Sequence, residues 1–172
     1  MRYTLLSVAL IPLCASAAFG QQPADSSAKH NTPASHHAMA KAKAEPGEDF
    51  TWGPAPAIFP AGAKMAVLQG NPGGSEMFTV RLRMPNGYKI APHTHPTDEH
   101  VTVISGHFKV GMGDTANTKA MMTLKQGAFI TAPANKSHYA AASGPTVVQV
   151  SGMGPFTMTY VNPADTPAAA KQ

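Results

Sequence analysis

Residues 93 to 100 read HTHPTDEH, three imidazoles and two carboxylates within eight positions. Imidazoles and carboxylates are the side chains that bind divalent cations, and His can also move a proton near neutral pH. On an extended backbone successive side chains point to opposite faces, so His93 and His95 share a face while Thr94 points away. Two imidazoles at that spacing can reach one ion. Pro92 and Pro96 flank the pair, and proline in a sheet is confined to strand ends, edges and bulges, which places the pair at a rim. A turn through Thr97 and Asp98 brings Glu99 back towards it. Asp98 competes as the carboxylate, but Glu99 opens the apolar run EHVTVIS and shares a face with Val101 and Val103. Glu99 is therefore the expected ligand and Asp98 a turn residue. His100 has the opposite parity, and His107 reads as solvent-facing. A fourth ligand has to come from elsewhere, and His138, after the turn-like PANKS, is the candidate. No catalytic acid, base or nucleophile can be assigned. Ser137 is only a sequence neighbour of His138, and Tyr139 faces away from it.

Strands must hold these groups, and the chain is rich in strand signals. MFTVRLRM alternates, with Phe78, Val80, Leu82 and Met84 on one face and Met77, Thr79, Arg81 and Arg83 on the other, the period of two of a half-buried strand. Further candidates are GAKMAVLQ, GYKIAPHTH, EHVTVIS, HFKVGMG, AMMTLK, AFITAP, TVVQVSG and FTMTYV, punctuated by NPGG, PNG, SG, GDT and SGP. No helical apolar stripe is visible between them. Many short strands at near-regular spacing predict an all-β sandwich or barrel over residues 48–162. Its interior is expected to be filled by Phe78, Val80, Leu82, Met84, Phe108, Val110 and Met112, because small barrels are packed by side chains. A charged share of only 13%, against roughly 25% in an average protein, suits such a body.

The ends read differently. MRYTLLSVALIPLCASAAFG has one early charge at Arg2, an apolar run from Leu5 to Leu13 and then small residues, the layout of a secretory signal peptide over residues 1–20. The run is shorter than the roughly 20 residues that span a bilayer, so no membrane association is expected after cleavage. Periplasmic or secreted localisation follows, with export of an unfolded chain because no twin arginine is present. The sole cysteine, Cys14, lies in this segment, so the mature chain has neither disulfides nor thiolate chemistry. Residues 21–47 are polar and alanine-rich, a disordered linker whose His30, His36 and His37 read as solvated. Residues 163–172 read as a disordered tail. The net charge of +4, or +3 without Arg2, is carried by scattered lysines, and without a basic stripe nucleic acid is not an expected partner.

From Gly87, five residues lead to His93; His95 follows, three residues separate it from Glu99, and six more precede Gly106. This resembles the first motif of the cupin superfamily. Gly127, five residues, Pro133 and then His138 resemble the second motif, with Asn135 where the family usually has glycine and Ala142 where it usually has asparagine. The resemblance implies a double-stranded β-helix, or jelly-roll barrel, in which His93, His95, Glu99 and His138 bind one metal ion. The Asn135 departure puts the turn before His138 in doubt. The stretches WGPAP, AVLQGNP, PHTHPTDEHVTVISG and GPFTMTYVNP are similar to exported single-domain cupins related to the ChrR-like group. There the cupin unit is a metal-binding part of a regulatory protein; a preceding helical partner-binding domain is not expected here.

Three neutral imidazoles and one carboxylate around a divalent ion leave a net charge of about +1, which favours a small anionic ligand. Zinc held by four protein ligands is structural, whereas octahedral iron, manganese or nickel would keep two positions open. The ligand types do not distinguish zinc, iron, manganese, copper and nickel. The expected function is an exported metal-binding cupin; the alternative is a metal-dependent oxygenase, or a hydrolase or isomerase, acting on a small organic acid. Edge-strand pairing into a homodimer is a family-level expectation. Mass spectrometry of the exported product should show a chain beginning between residues 19 and 21, and a full-length exported chain would overturn the signal-peptide reading.

Overall fold

MFTVRLRM sets the pattern. In the computed structural model, which describes residues 50–167, it forms one eight-residue strand, Met77–Met84, with Phe78, Val80, Leu82 and Met84 buried and Met77 exposed. The signal peptide, the linker with His30, His36 and His37, and the last five residues of the tail lie outside the described residues, all of which belong to one unit, Ala42–Gln172. The strands, in chain order, are β1 Gly53–Pro54, β2 Lys64–Gln69, β3 Met77–Met84, β4 Lys89–Thr94 and β5 Glu99–Ser105; then β6 His107–Met112, β7 Met122–Lys125, β8 Phe129–Ala132, β9 His138–Ala142, β10 Thr146–Met153 and β11 Thr159–Tyr160. They make two antiparallel sheets, ordered β1-β2-β3-β10-β5-β8 and β11-β4-β9-β6-β7. Their apolar rows share one core, with Val80, Val103, Val148 and Val150 from the larger sheet and Ile90, Phe108, Val110 and Ala140 from the smaller. This is the expected all-β jelly roll. No helix among the described residues is long and apolar enough to cross a membrane.

Three expectations change. FTMTYV contracts to the two-residue β11, and Phe156 and Thr157 are left to support the site described below. Met112, expected in the interior, is 50% exposed, because it stands at the last position of β6 beyond the covered part of the core. Pro163–Asp165, expected to fray, form a 3-10 turn: the Asn162 side chain caps it by accepting from the Ala164 N–H, and proline occupies its start.

The glycines that flank the His93–Glu99 motif are both left-handed, Gly87 at φ 75° and Gly106 at φ 79°. They differ in surroundings. A Cβ at Gly87 would meet nothing, whereas one at Gly106 would overlap the Pro145 carbonyl oxygen and the Thr146 backbone and side chain. Thr146 is held at this crossing, its hydroxyl accepting from His107 N–H. Gly87→Ala should cost about 1–2 kcal/mol for left-handed backbone alone. Gly106→Ala should cost more, because rigid backbone has to move as well. Urea denaturation of the two variants checks the order, and equal losses would overturn it.

Candidate metal centre

His93 faces the core for a reason that strict alternation hides. Ile90 pairs with Ala140 and His93 with His138, so three steps on β4 match two on β9. One extra residue, a β-bulge at Ala91 and Pro92, reverses the parity, and both Ile90 and His93 turn inward. Proline suits this position because the bulge leaves the ladder locally unpaired. His93 and His138 then stand opposite each other across β4 and β9, ring centroids 4.3 Å apart.

His95 lies just past the end of β4. Phe156 stacks on its ring at 4.9 Å and 13°, and its Nδ1 hydrogen-bonds the Thr157 carbonyl at 2.6 Å. Nothing in FTMTYV, whose alternation predicts a strand, marks Phe156 as a site residue. Glu99 opens β5 on the inward face, opposite Gly152 of β10 and Ala132 of β8, two positions with little or no side chain to crowd it. Thr97 donates to the Met153 carbonyl at 2.7 Å, and Asp98 accepts from the Ala134 N–H at 2.7 Å. Asp98 thus ties the 96–98 turn to the turn before His138, the turn role expected of it. That second turn closes through Asn135, whose N–H donates to the His95 carbonyl at 2.8 Å and whose φ is 59°. Asn is among the few non-glycine residues that accept the left-handed region, so it does here what the usual glycine would do.

The structure brings all four expected residues together. The available ligand atoms of His93, His95 and His138 lie within 4.8 Å of one another. Glu99 Oε2 is 3.3 Å from His138 Nε2 and 3.8 Å from His95 Nε2. The three histidines are only 2–3% exposed. His100 points away, its Nδ1 within hydrogen-bonding distance of the Thr131 hydroxyl and its ring over Phe129, and His107 is exposed.

Each imidazole spends Nδ1 on a backbone carbonyl: His93 on Ala91 at 2.7 Å, His95 on Thr157 at 2.6 Å and His138 on Lys136 at 3.0 Å. A carbonyl only accepts, so Nδ1 must carry the proton and Nε2 keeps its lone pair. Those of His95 and His138 are buried with no directed hydrogen bond, the Glu99 contact at 3.3 Å being too bent to count as one. Metal-bound histidines are held in this way through the other ring nitrogen. Three lone pairs and a carboxylate facing one another, all acceptors, fit a cation.

Without an ion, protons respond to the same field. Burial first, and then the charge on a protonated His138, hold His93 down at about 4. His95 is also lowered, burial outweighing the attraction of Glu99. Burial would lower His138 too, but its contact with Glu99 outweighs that and raises it; burial would raise Glu99, but His138 and the other imidazoles pull it below the usual carboxylate range. The site's proton therefore belongs to the His138–Glu99 pair. Tyr160, beside His93 at 5.9 Å, donates its hydroxyl to the Ile58 carbonyl and is pushed up to about 12 by burial, then by Asp165, so it is no acid for this site. Next to His93, Glu99 and His138 lies an apolar cavity of about 20 Å³, edged by Leu82, Val101 and Val110. That is room for about one water molecule.

Two antiparallel sheets closed over one core make a cupin-like fold, and solved structures bear out that fold. The polyketide cyclase RemF from Streptomyces resistomycificus superposes with a TM-score of 0.60 at 15% identity, covering 73% of this chain and 89% of that one. A protein described as a candidate acetylacetone dioxygenase, from Methylibium petroleiphilum PM1, gives 0.56 at 22%, covering 76% and 89%. An RmlC-like cupin from Shewanella frigidimarina NCIMB 400 gives 0.50 at 18%, covering 63% and 87%. At these identities the likeness is one of fold. The chain belongs to the family described as a domain of unknown function, DUF4437, which matches residues 15–159. A search of curated proteins gives no match.

In metal-free protein the unfolded chain's histidines titrate near 6.5, but folded His93 near 4. Between those values the unfolded state takes up a proton that folded His93 refuses, so stability falls as pH drops from about 6.5 to 4. His95 acts in the same direction and His138 against it. Denaturation midpoints in chelator should fall across this window; a midpoint that rises on acidification would contradict a buried, neutral His93.

Proposed function

We propose that the protein is an exported cupin that holds one divalent metal ion through His93, His95, Glu99 and His138 and offers it to a small anionic ligand. One observation carries the metal reading: four buried or nearly buried acceptors converge while every Nδ1 is already committed elsewhere. An acceptor-only cluster is costly to bury unless a cation compensates it. The bound ion would leave the site at about +1, and any anion attracted there gains from the low-dielectric surroundings. The export half of the reading rests on residues 1–20, with Arg2, the Leu5–Leu13 run and the small residues after it.

The alternative is a metal-dependent oxygenase, or a hydrolase or isomerase, acting on a small organic acid. When bound, the metal would supply Lewis acidity or activated water. The chain's own residues would position and exclude. A cavity of about 20 Å³ has room for a water molecule but not for an organic acid unless side chains move. This favours a binder whose anion approaches from outside the packed interior over an enzyme that encloses its substrate.

Metal analysis of purified protein should give one ion per chain. His95→Ala should weaken binding by more than about 100-fold, the upper range for loss of a mere outer-shell partner. His100→Ala and His107→Ala, both outside the cluster, should bind as the wild type does. Near-normal stoichiometry in His95→Ala, or equal loss in the two controls, would overturn the ligand set.

A further inference from the structure

The ladder between β6 and β9 runs without a shift from Phe108↔Ala142 through Val110↔Ala140 to Met112↔His138. Residues directly opposite each other share a face, so Met112 stands on the metal side of the sheet, next to His138. The other face confirms the parity: Gly111 lies opposite Tyr139, whose ring fills the place a Cβ would take. On the neighbouring strand Leu124 faces the core opposite Phe108, and two residues before it Met122 stands opposite Val110. Met112 and Met122 are thus diagonal neighbours on the inward face, about 7–8 Å apart at the backbone and within reach of long side chains. Both lie at the uncovered end of that face, 50% and 54% exposed.

Burial only half accounts for a pair of methionines on this row, since about half of their surface stays in water. Their distinguishing property is the thioether, flexible and polarizable. Thioether and imidazole together suit a soft monovalent ion, for which a carboxylate is a poor partner. We propose that Met112, with Met122 beside it, forms a thioether face on the His138 side of the site and gives the chain a binding mode for Cu(I). This rests on the metal-binding reading above. In this mode sulfur takes over the part that Glu99 plays for a divalent ion, and the lone pair of His138 Nε2 is common to both.

The test uses the full chain carrying Cys14→Ser, so that methionine is the only source of sulfur. Zn(II) and Cu(I) are titrated separately, anaerobically, against chromophoric chelators, in this background and with Met112→Leu or Met112→Leu/Met122→Leu added. Leucine keeps the volume, and at half-exposed positions the fold should tolerate it. Cu(I) affinity should fall at least about tenfold in Met112→Leu, the low end for loss of even an outer-shell partner, with Zn(II) affinity unchanged. X-ray absorption at the copper edge should show a sulfur neighbour that the double variant lacks. Unchanged Cu(I) affinity, or a sulfur neighbour that persists in the double variant, would overturn the proposal and leave the histidine site standing. Equal loss of both metals would mean that Met112 only supports the fold, and also overturns it. If the parent binds neither metal, the underlying metal reading fails with it.

Discussion

The hydrogen bonds from three imidazole Nδ1 atoms to backbone carbonyls are the constraint on which the site depends. Each bond is local in effect, fixing one tautomer and one ring plane. Together they send three lone pairs to one point beside a carboxylate. Two of the carbonyls, those of Ala91 and Lys136, lie two residues before their histidines, so the backbone that enters each position also orients its ring. The third, that of Thr157, is 62 residues away from His95, and the jelly-roll topology exists in part to bring it there.

Because the site is acceptor-only, its geometry cannot be held by its own members. Like dipoles and lone pairs repel, and without an ion the contacts of Glu99 with His138 and His95 are what oppose the crowding. The supporting shell has to supply the rest. Phe156 stacks on His95, the Asp98–Ala134 and Asn135–His95 hydrogen bonds lock the two ligand-bearing turns to each other, and the bulge at Pro92 sets His93 against His138. None of these contacts uses an imidazole Nε2 or a Glu99 carboxylate oxygen, so the shell holds the four side chains without competing for the atoms that would bind an ion.

Much of this was legible in the sequence. Alternation in MFTVRLRM and EHVTVIS gave the inward rows and the parity of Glu99, since those strands run regularly. The approximate rim position of the histidines followed from Pro92 and Pro96. What the sequence concealed had local causes. HYAAA is a strand, β9, but its alanines carry little strand propensity, and it is held by pairing on both sides rather than by its own preference. The shared face of His93 and His95 was read from simple alternation, whereas His93 is turned inward by a bulge and His95 lies beyond the strand. The residues that converge in space were reached through geometry that the chain does not use. Asn135 looked like a defect in the motif, yet its φ of 59° preserves the turn. Phe156 was invisible because a stacking partner is defined by distance in space.

The packed interior would limit what an ion held by the cluster could do. In a larger barrel the metal would look onto a ligand chamber; here Leu82, Val101 and Val110 close in to leave about one water's volume beside it. Met112 and Met122, on the same face as His138, are left half-exposed at the end of β6 and the start of β7. At these strand-end positions alternation still fixes the face, as the register of Met112 with His138 shows, but burial no longer fixes the residue, so side-chain type is free to vary there without cost to the core.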